Sequence, residues 1–467
     1  MMSRTLFALI IFASCGATVR AQHLQALNET PGKAAKEAVK KEGPEGKSEA
    51  KVDPAELART IGALEERIKQ LEAKLAKSEG EAAPNSAPAG AAAKPAPVAA
   101  PTKADEVAEI KKEVVAIQED AKKNSGFVGF FRDVEVSGLV DGYYSYNFNH
   151  PDGGINTGRA FDVRDNSFSL NLAKFTLEKK NDLSSPLGFK LDLGFGPTVD
   201  LVNAPDQFNG PAIRNVLQAY VSYVVPVGKG LTVDFGKFYT PVGSEVIETK
   251  DNFNYTRSFL FTYGPYTHTG FRAKYAFNDK VALTGFLVNG WDTFLDNNRA
   301  KTGGVSLSLT PTSRLAITQT YLGGPEQTDY NEGWRHTADT VVAYVANDKL
   351  TLLGNYNYSA DKLIDGRKVH WTGFAGGLKY AFTNKLAFSP RFEVFDDHDG
   401  YRTGVAQTLK GLTLTQELKL ANNLLTRFEF RRDWSDTDFF SKSYGRTVRA
   451  QNTLLVGMSF FISSRGQ

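Results

Sequence analysis

Residues 410–420 read Lys-Gly-Leu-Thr-Leu-Thr-Gln-Glu-Leu-Lys-Leu, so Leu412, Leu414, Leu418 and Leu420 share one face with Gln416 while Thr413, Thr415, Glu417 and Lys419 share the other. A period of two is the signature of a strand with one apolar and one polar side. Ala421-Asn422-Asn423 then make a tight turn, and the alternation resumes with Phe428 and Phe430 against Arg427, Glu429 and Arg431. Working outward, the same pattern recurs in 188–195, where Phe189, Leu191, Leu193 and Phe195 oppose Lys190 and Asp192. It predicts sixteen strands, beginning near residues 134, 168, 187, 216, 231, 266, 281, 301, 315, 337, 349, 370, 386, 408, 424 and 451.

The connections alternate in length. Residues 225–230, Asn278-Asp279-Lys280, Pro311-Thr312-Ser313, Asn347-Asp348-Lys349, Thr383-Asn384-Lys385 and Ala421-Asn422-Asn423 are short, and long loops lie between them. Short turns at one end and long loops at the other are a habit of outer-membrane barrels. Sixteen strands enclose an aqueous channel rather than a core filled by side chains. The apolar face therefore belongs in lipid and the polar face in the lumen. The inward set mixes Lys190, Arg272, Lys274, Arg391, Lys419, Arg427 and Arg431 with Asp192, Asp234, Glu393, Glu417 and Glu429. The four tryptophans, Trp291, Trp334, Trp371 and Trp434, flank long loops and fit an aromatic girdle, the alternative being ordinary loop anchoring.

Composition agrees. The 467 residues carry 55 Lys plus Arg against 52 Asp plus Glu, a near balance that argues against nucleic acid as partner. Glycine (42), Phe (32) and Tyr (18) are plentiful and Met is scarce (3), as suits strands and turns. No apolar run reaches the roughly 18 residues of a helical membrane span, and a mean hydropathy of −0.31 is compatible with a barrel whose strands alternate.

The first 125 residues are of another kind. Residues 1–21 read as a secretory signal, with Arg4, an apolar stretch over 5–13 and a small-residue site at Val19-Arg20-Ala21. The single Cys15 lies within it; Phe12-Ala13-Ser14-Cys15 is a weak alternative, a lipoprotein box with Phe where Leu is preferred. Residues 22–53 form a disordered linker. Over 54–79, Leu57, Ile61, Leu64, Ile68, Leu71 and Leu75 are spaced as a coiled-coil seam, after a start marked by Asp53, Pro54 and Glu56. A solvated single helix is the other reading. Residues 80–103, with five prolines among alanines, are an extended spacer of up to roughly 70 Å. A short helix over 104–125 carries Val107, Ile110, Val114 and Ile117, and the barrel takes 126–467. The sequence thus predicts an all-β transmembrane antiparallel barrel preceded by a periplasmic α-helical coiled-coil stalk.

Motifs that would bring chemistry are weak. The six histidines show no metal-ligand spacing and are expected at the surface or rim. Asp396-Asp397-His398-Asp399-Gly400 is oxygen-rich but lacks the spacing of a calcium loop, so a solvated acidic loop is expected there. Gly194-Phe195-Gly196-Pro197 is no dinucleotide fingerprint, and Gly243-Ser244-Glu245 is no nucleophile elbow. No catalytic residue, metal or cofactor is expected.

Gly236-Lys237-Phe238-Tyr239-Thr240-Pro241-Val242-Gly243, the acidic Glu245, Gly264-Pro265 and His268-Thr269-Gly270 resemble the bacterial β-barrel porins described as OmpL-like. Val136-Ser137-Gly138 with Asp141-Gly142-Tyr143-Tyr144 is similar too, and the resemblance spans roughly 130–462. It implies a Gram-negative outer-membrane pore, more distantly similar to phosphate-selective porins. The ending Gly457, Phe460 and Ile462 resembles the signal read by the barrel assembly machinery, a further expected partner beside outer-membrane lipid.

The expectation that follows is a porin for passive diffusion of small hydrophilic solutes, both barrel ends periplasmic. Self-association is expected from the seam, as a trimer by analogy with general porins. A barrel enzyme and an envelope tether are the rival readings. From residue 127 onward there are 36 basic and 34 acidic residues, a difference of +2 that decides no ion preference. A wide barrel needs an internal constriction to select. The longest connection, 241–265, is expected to supply it: Glu245, Glu248 and Asp251 give negative charge, Lys250 and Arg257 positive charge, and Phe253, Tyr255 and Phe259 pin it to the wall. The alternative is a mobile extracellular loop.

Overall fold

The computed structural model describes residues 133–204 and 213–465, together with Lys112. The signal, linker, coiled coil, spacer and short helix expected before residue 126 lie outside the described residues, Lys112 apart.

Sixteen strands close into one antiparallel barrel. They are β1 (Glu135–Asn147), β2 (Ser167–Lys179), β3 (Leu187–Phe195), β4 (Val216–Val225), β5 (Leu231–Tyr239), β6 (Thr267–Asn278), β7 (Val281–Val288) and β8 (Thr302–Thr312). There follow β9 (Leu315–Gln327), β10 (Tyr330–Asn347), β11 (Leu350–Lys362), β12 (Lys368–Ala381), β13 (Leu386–Asp397), β14 (Gln407–Ala421) and β15 (Leu424–Ser435). A small hairpin, β16 (Phe440–Lys442) and β17 (Arg446–Val448), decorates the last long loop before β18 (Ala450–Ser463) closes the ring on β1. Each barrel strand pairs with its sequence neighbour, which is what short turns alternating with loops dictate.

Period-two patterning put the strand starts within two residues of those observed, with one exception. The tenth strand begins at Tyr330 rather than near 337. The β9–β10 ladder continues to the pair Tyr330 and Gln327, with a register shift between Tyr330 and Trp334, so only Thr328 and Asp329 connect them. The expected long loop there is a hairpin. The turn expected at Pro311-Thr312-Ser313 is likewise displaced, because Thr312 pairs with Leu315.

The burial pattern is inverted relative to a water-soluble protein. On β18, Leu454, Val456, Met458, Phe460 and Ile462 are exposed, whereas Gln451, Thr453 and Ser459 between them are buried. On β13 to β15 the buried positions include Arg391, Glu393, Thr413, Thr415, Glu417, Arg427, Glu429 and Arg431, with the apolar Phe395 and Leu409 nearer the long loops. The apolar face is thus the outer one, as a lipid-facing wall requires. Val456→Arg on that face is expected to destabilise the inserted barrel by about 2–4 kcal/mol, read from denaturant unfolding in vesicles. A cost below ~0.5 kcal/mol would contradict a lipid-facing position there.

Two tryptophans face outward, as a girdle requires, and two face inward. Trp334 is 48% exposed and Trp434 packs against the outward Phe392. Trp371 is 2% exposed, on the buried phase of β12 with Val369 and Ala375, and Trp291 lies in a loop folded inward, its ring 6.4 Å from that of Trp371. Adjacency to a loop does not reveal the phase of a side chain, which is why the four could not be separated by position.

Candidate functional site

The connection between Tyr239 and Thr267 runs through the barrel interior. Its local structure is slight, a 3-10 turn over Thr249–Asp251 and one helical turn, α1 (Phe259–Thr262), whose start is capped by the Ser258 hydroxyl accepting from the Phe261 amide at 3.2 Å. A segment with so little internal hydrogen bonding must find its partners elsewhere. It finds them on the inner wall.

Asp339 on β10 accepts from the Gly243 amide at 2.9 Å, and Asn355 on β11 from the Ser244 amide at 3.2 Å. Glu429 on β15 accepts from the amides of Tyr255 (2.7 Å) and Thr256 (3.1 Å), and Glu393 on β13 accepts from that of Phe259 at 2.5 Å. The arginines take the carbonyls. Arg427 donates to Thr249 at 2.5 Å and Asn252 at 2.6 Å, Arg391 to Thr256 at 2.7 Å, and Arg431 to Arg257 at 2.5 Å. These are charge-assisted bonds, the strong kind. At the other side Thr249 meets Ser459 of β18 at 2.9 Å, and the Tyr255 ring lies 5.8 Å from that of Tyr143 on β1. Gly457 opposite leaves the space this ring occupies, since a Cβ there would collide with it.

The wall charges also neutralise one another. Arg431 pairs with Asp433 (2.7 Å) and Glu393 (3.1 Å), Arg391 with Glu393 (3.2 Å), and Glu417 with Arg427 (2.7 Å) and Lys379 (2.6 Å). Buried ions persist only with such partners.

Of the loop residues singled out in the sequence, Glu245 pairs with Arg391 at 2.7 Å and caps Ser258, and Glu248 pairs with Lys174 on β2. Lys250 pairs with Asp251 at 2.8 Å, both partly exposed. Arg257 is buried and turned back on its own loop, donating to the carbonyls of Val246, Ile247 and Tyr255, with its guanidinium 4.8 Å from the Phe161 ring. Of the wall residues, Arg391, Glu393, Glu417, Arg427, Glu429 and Arg431 join the loop network. Asp192 is buried between Lys174, Thr176 and Gln218. Lys190 pairs with Glu178 at 3.1 Å and Arg272 with Asp234 at 2.5 Å; Lys190, Glu178 and Arg272 are partly exposed and Asp234 is buried. Lys274 and Lys419, half-buried, form no ion pair among the described residues.

Sequence reasoning missed Lys174, Asp339, Asp433, Arg159, Arg335 and Arg402. The first three sit on the inward phase of their strands, a signal the alternation carries. Arg159 belongs to a loop, bridging Asp162 and Asp433 (2.7 Å). Arg335, paired with Asp361 at 2.8 Å, and Arg402, donating to the Tyr263 carbonyl at 2.6 Å, stack on the Trp291 and Trp371 rings. Beside them Asp292 accepts from the amides of Tyr266 (2.6 Å) and Thr267 (2.8 Å), and its burial pushes the carboxyl up to about 6.

Two motif readings change. His268 is not at the rim: it lies buried on β6, its Nε2 3.0 Å from the Thr240 hydroxyl and its Nδ1 2.7 Å from the Gly290 carbonyl, because it shares the inward phase of Arg272 and Lys274. It ties both ends of the interior loop to the next loop. In the acidic stretch, Asp397 is buried and accepts from the Arg402 and Thr403 amides at 2.9 and 2.6 Å, so this carboxylate folds the loop rather than facing solvent.

A closed sixteen-stranded barrel, apolar outside and charged inside, with its longest loop drawn through the interior, defines a porin-type outer-membrane barrel. The chain belongs to the family described as "Putative beta-barrel porin-2, OmpL-like", whose model matches residues 133–462. Similar solved structures include the anion-selective porin from Comamonas acidovorans, with 12% identity and a TM-score of 0.48 over 70% of this chain and 99% of that one. The outer membrane channel DcaP of Acinetobacter baumannii has 12% identity and a TM-score of 0.48 over 70% of this chain and 97% of that one. The trimer form of OmpT from Vibrio cholerae has 11% identity and a TM-score of 0.48, covering 70% and 99%. Among curated proteins, none matches the chain by sequence.

Proposed function

We propose that the barrel is a passive diffusion pore for small hydrophilic solutes and ions in a Gram-negative outer membrane, and that the segment carrying Glu245, Glu248, Lys250, Asp251 and Arg257 forms its constriction. The observation that carries the reading is the loop's course: it is bonded to inward groups of β2, β10, β11, β13, β15 and β18, so it crosses the lumen rather than folding over one edge. Within the network the charges have different duties. Glu245 and Arg257 hold the loop, whereas Lys250 and Asp251, with Lys190, Glu178, Arg272 and Lys274 on the facing strands, keep contact with water. No reaction is proposed. The barrel would assemble as a homotrimer, its coiled-coil stalk and both barrel ends in the periplasm.

Lys274 is the discriminating position, because an inward charge without a partner acts on permeating ions while a paired one is largely cancelled. Lys274→Glu is expected to shift the reversal potential in a salt gradient toward cations, with conductance kept within about twofold. An unchanged reversal potential would remove the β6 wall from the ion path and with it the placement of the constriction.

A further inference from the structure

At the long-loop rim the outer face carries charges that the pore does not use. Lys362 at the end of β11 and Lys368 at the start of β12 stand directly opposite each other in the ladder, both exposed, on the same outward phase as Tyr356, Tyr358 and Phe374. Neither ammonium has an ion pair among the described residues. Like charges directly opposite one another destabilise an antiparallel pair. Three nearby carboxylates are committed elsewhere: Asp361 to Arg335 on the inner side (2.8 Å), Asp365 to Arg367 (2.7 Å), and Asp399 to the His370 amide (2.8 Å) and ring (3.1 Å).

The surroundings say what could relieve the repulsion. One outward step toward the barrel centre, Ala360 pairs with His370, whose ring stacks on His398 at 4.7 Å, and His336 pairs with Ala360 on the other side while bonding the Tyr321 hydroxyl at 2.7 Å. Trp334 lies beside His336, the ring centres 6.1 Å apart. Below this row come Tyr358, Tyr356 and Phe374, the beginning of the apolar band. A lysine pair with an exposed tryptophan, set on the edge of a lipid-facing surface, has the composition of a headgroup contact.

We propose that the Lys362–Lys368 pair, with Trp334 and the histidine row beside it, holds the phosphate of an anionic lipid headgroup in the leaflet at the long-loop rim. The inference rests on the membrane reading of the outer face and not on the constriction. A lipid rather than a free phosphate is the occupant because the two ammonium groups are open point charges without a backbone cradle. Such a site holds an anion weakly unless the anion is kept at that depth by its own chains, which raises its effective concentration.

The test uses the full chain carrying Trp434→Phe, so that Trp334 is the outward tryptophan, in phosphatidylcholine vesicles containing a minor fraction of dibrominated lipid. Quenching of tryptophan fluorescence by dibrominated phosphatidic acid is compared with quenching by dibrominated phosphatidylcholine. Phosphatidic acid should be favoured at least about fivefold, the preference should vanish in Lys362→Gln/Lys368→Gln, and it should return in Lys362→Arg/Lys368→Arg. Equal quenching by the two lipids, or a preference that survives the glutamine pair, overturns the proposal. So does abolition of the preference by inorganic phosphate, which would mark a site for a free anion. Single-channel conductance of the glutamine pair should match the parent; a changed conductance would assign these lysines to the pore and also overturn it. The quenching assay does not read permeation, so failure of the pore reading leaves it intact.

Discussion

Deleting residues 245–257 is expected to raise single-channel conductance at least about twofold, because the passage of a sixteen-stranded barrel is set by what lies inside it rather than by the wall. The deletion removes the segment that Arg391, Arg427, Arg431, Glu393 and Glu429 now bind through its amides and carbonyls. The wall does not need that segment to close. Its ladders run strand to strand from β1 to β18 without a contribution from the loop, and the freed arginines and glutamates face one another and water. The variant should therefore insert and conduct. A deletion variant that is folded and yet conducts like the parent would place the narrowest point elsewhere, for instance among the loops around Trp291 and Trp371.

The second large effect separates two adjacent arginines. Arg431 is buried on the inner phase of β15, bonded to Asp433, Glu393 and the Arg257 carbonyl, while Arg432 next to it is exposed on the outer phase and donates to Asn452 at 3.2 Å. Removing Arg431 strips a cation from between two buried carboxylates and leaves a loop carbonyl without its donor. Arg431→Ala is expected to cost about 3–5 kcal/mol, whereas Arg432→Ala should cost no more than ~0.5 kcal/mol. Arg431→Lys should recover only part, since an ammonium does not span the three acceptors a guanidinium fork reaches. Denaturant unfolding of the three variants in the same vesicles measures this. Equal costs at 431 and 432 would mean that the burial phase assigned to β15 is wrong.

The contrast between those two residues also shows how far the amino-acid sequence could be read. Period two separates Arg431 from Arg432, and by the same rule Lys190, Arg272, Glu393 and Glu417 fall on the polar faces of their strands. It locates strands well because a lipid-facing wall has no tolerance for a slipped register. It fails where a ladder is irregular, as at Tyr330–Trp334, since the register shift there breaks the alternation. Loops carry no period at all. That the long connection enters the lumen followed from its length and charge, but the part each residue plays did not. Arg257 reads as one more charge in a charged loop, yet it is spent on three carbonyls of its own segment. Arg159, Arg402 and Trp291 are equally invisible, because their partners are distant in sequence: Asp433 for the first, Tyr263 for the second and Trp371 for the third. His268 shows a simpler gap: the absence of metal-ligand spacing says nothing of phase, and on β6 this residue takes the inward one.

The role of the interior loop is tested most directly at Lys250, whose ammonium is partly exposed beside Asp251 while Thr249 and Asn252 are buried. The sequence has one cysteine, Cys15, so Lys250→Cys made together with Cys15→Ser gives a single engineered thiol. Single-channel current through Lys250→Cys is recorded before and after a positively charged methanethiosulfonate and, separately, a negatively charged one. If the loop lines the narrowest passage, both adducts should lower the conductance, and the two should move the reversal potential in opposite directions. Complete labelling that leaves current and reversal potential unchanged would show that solutes pass elsewhere.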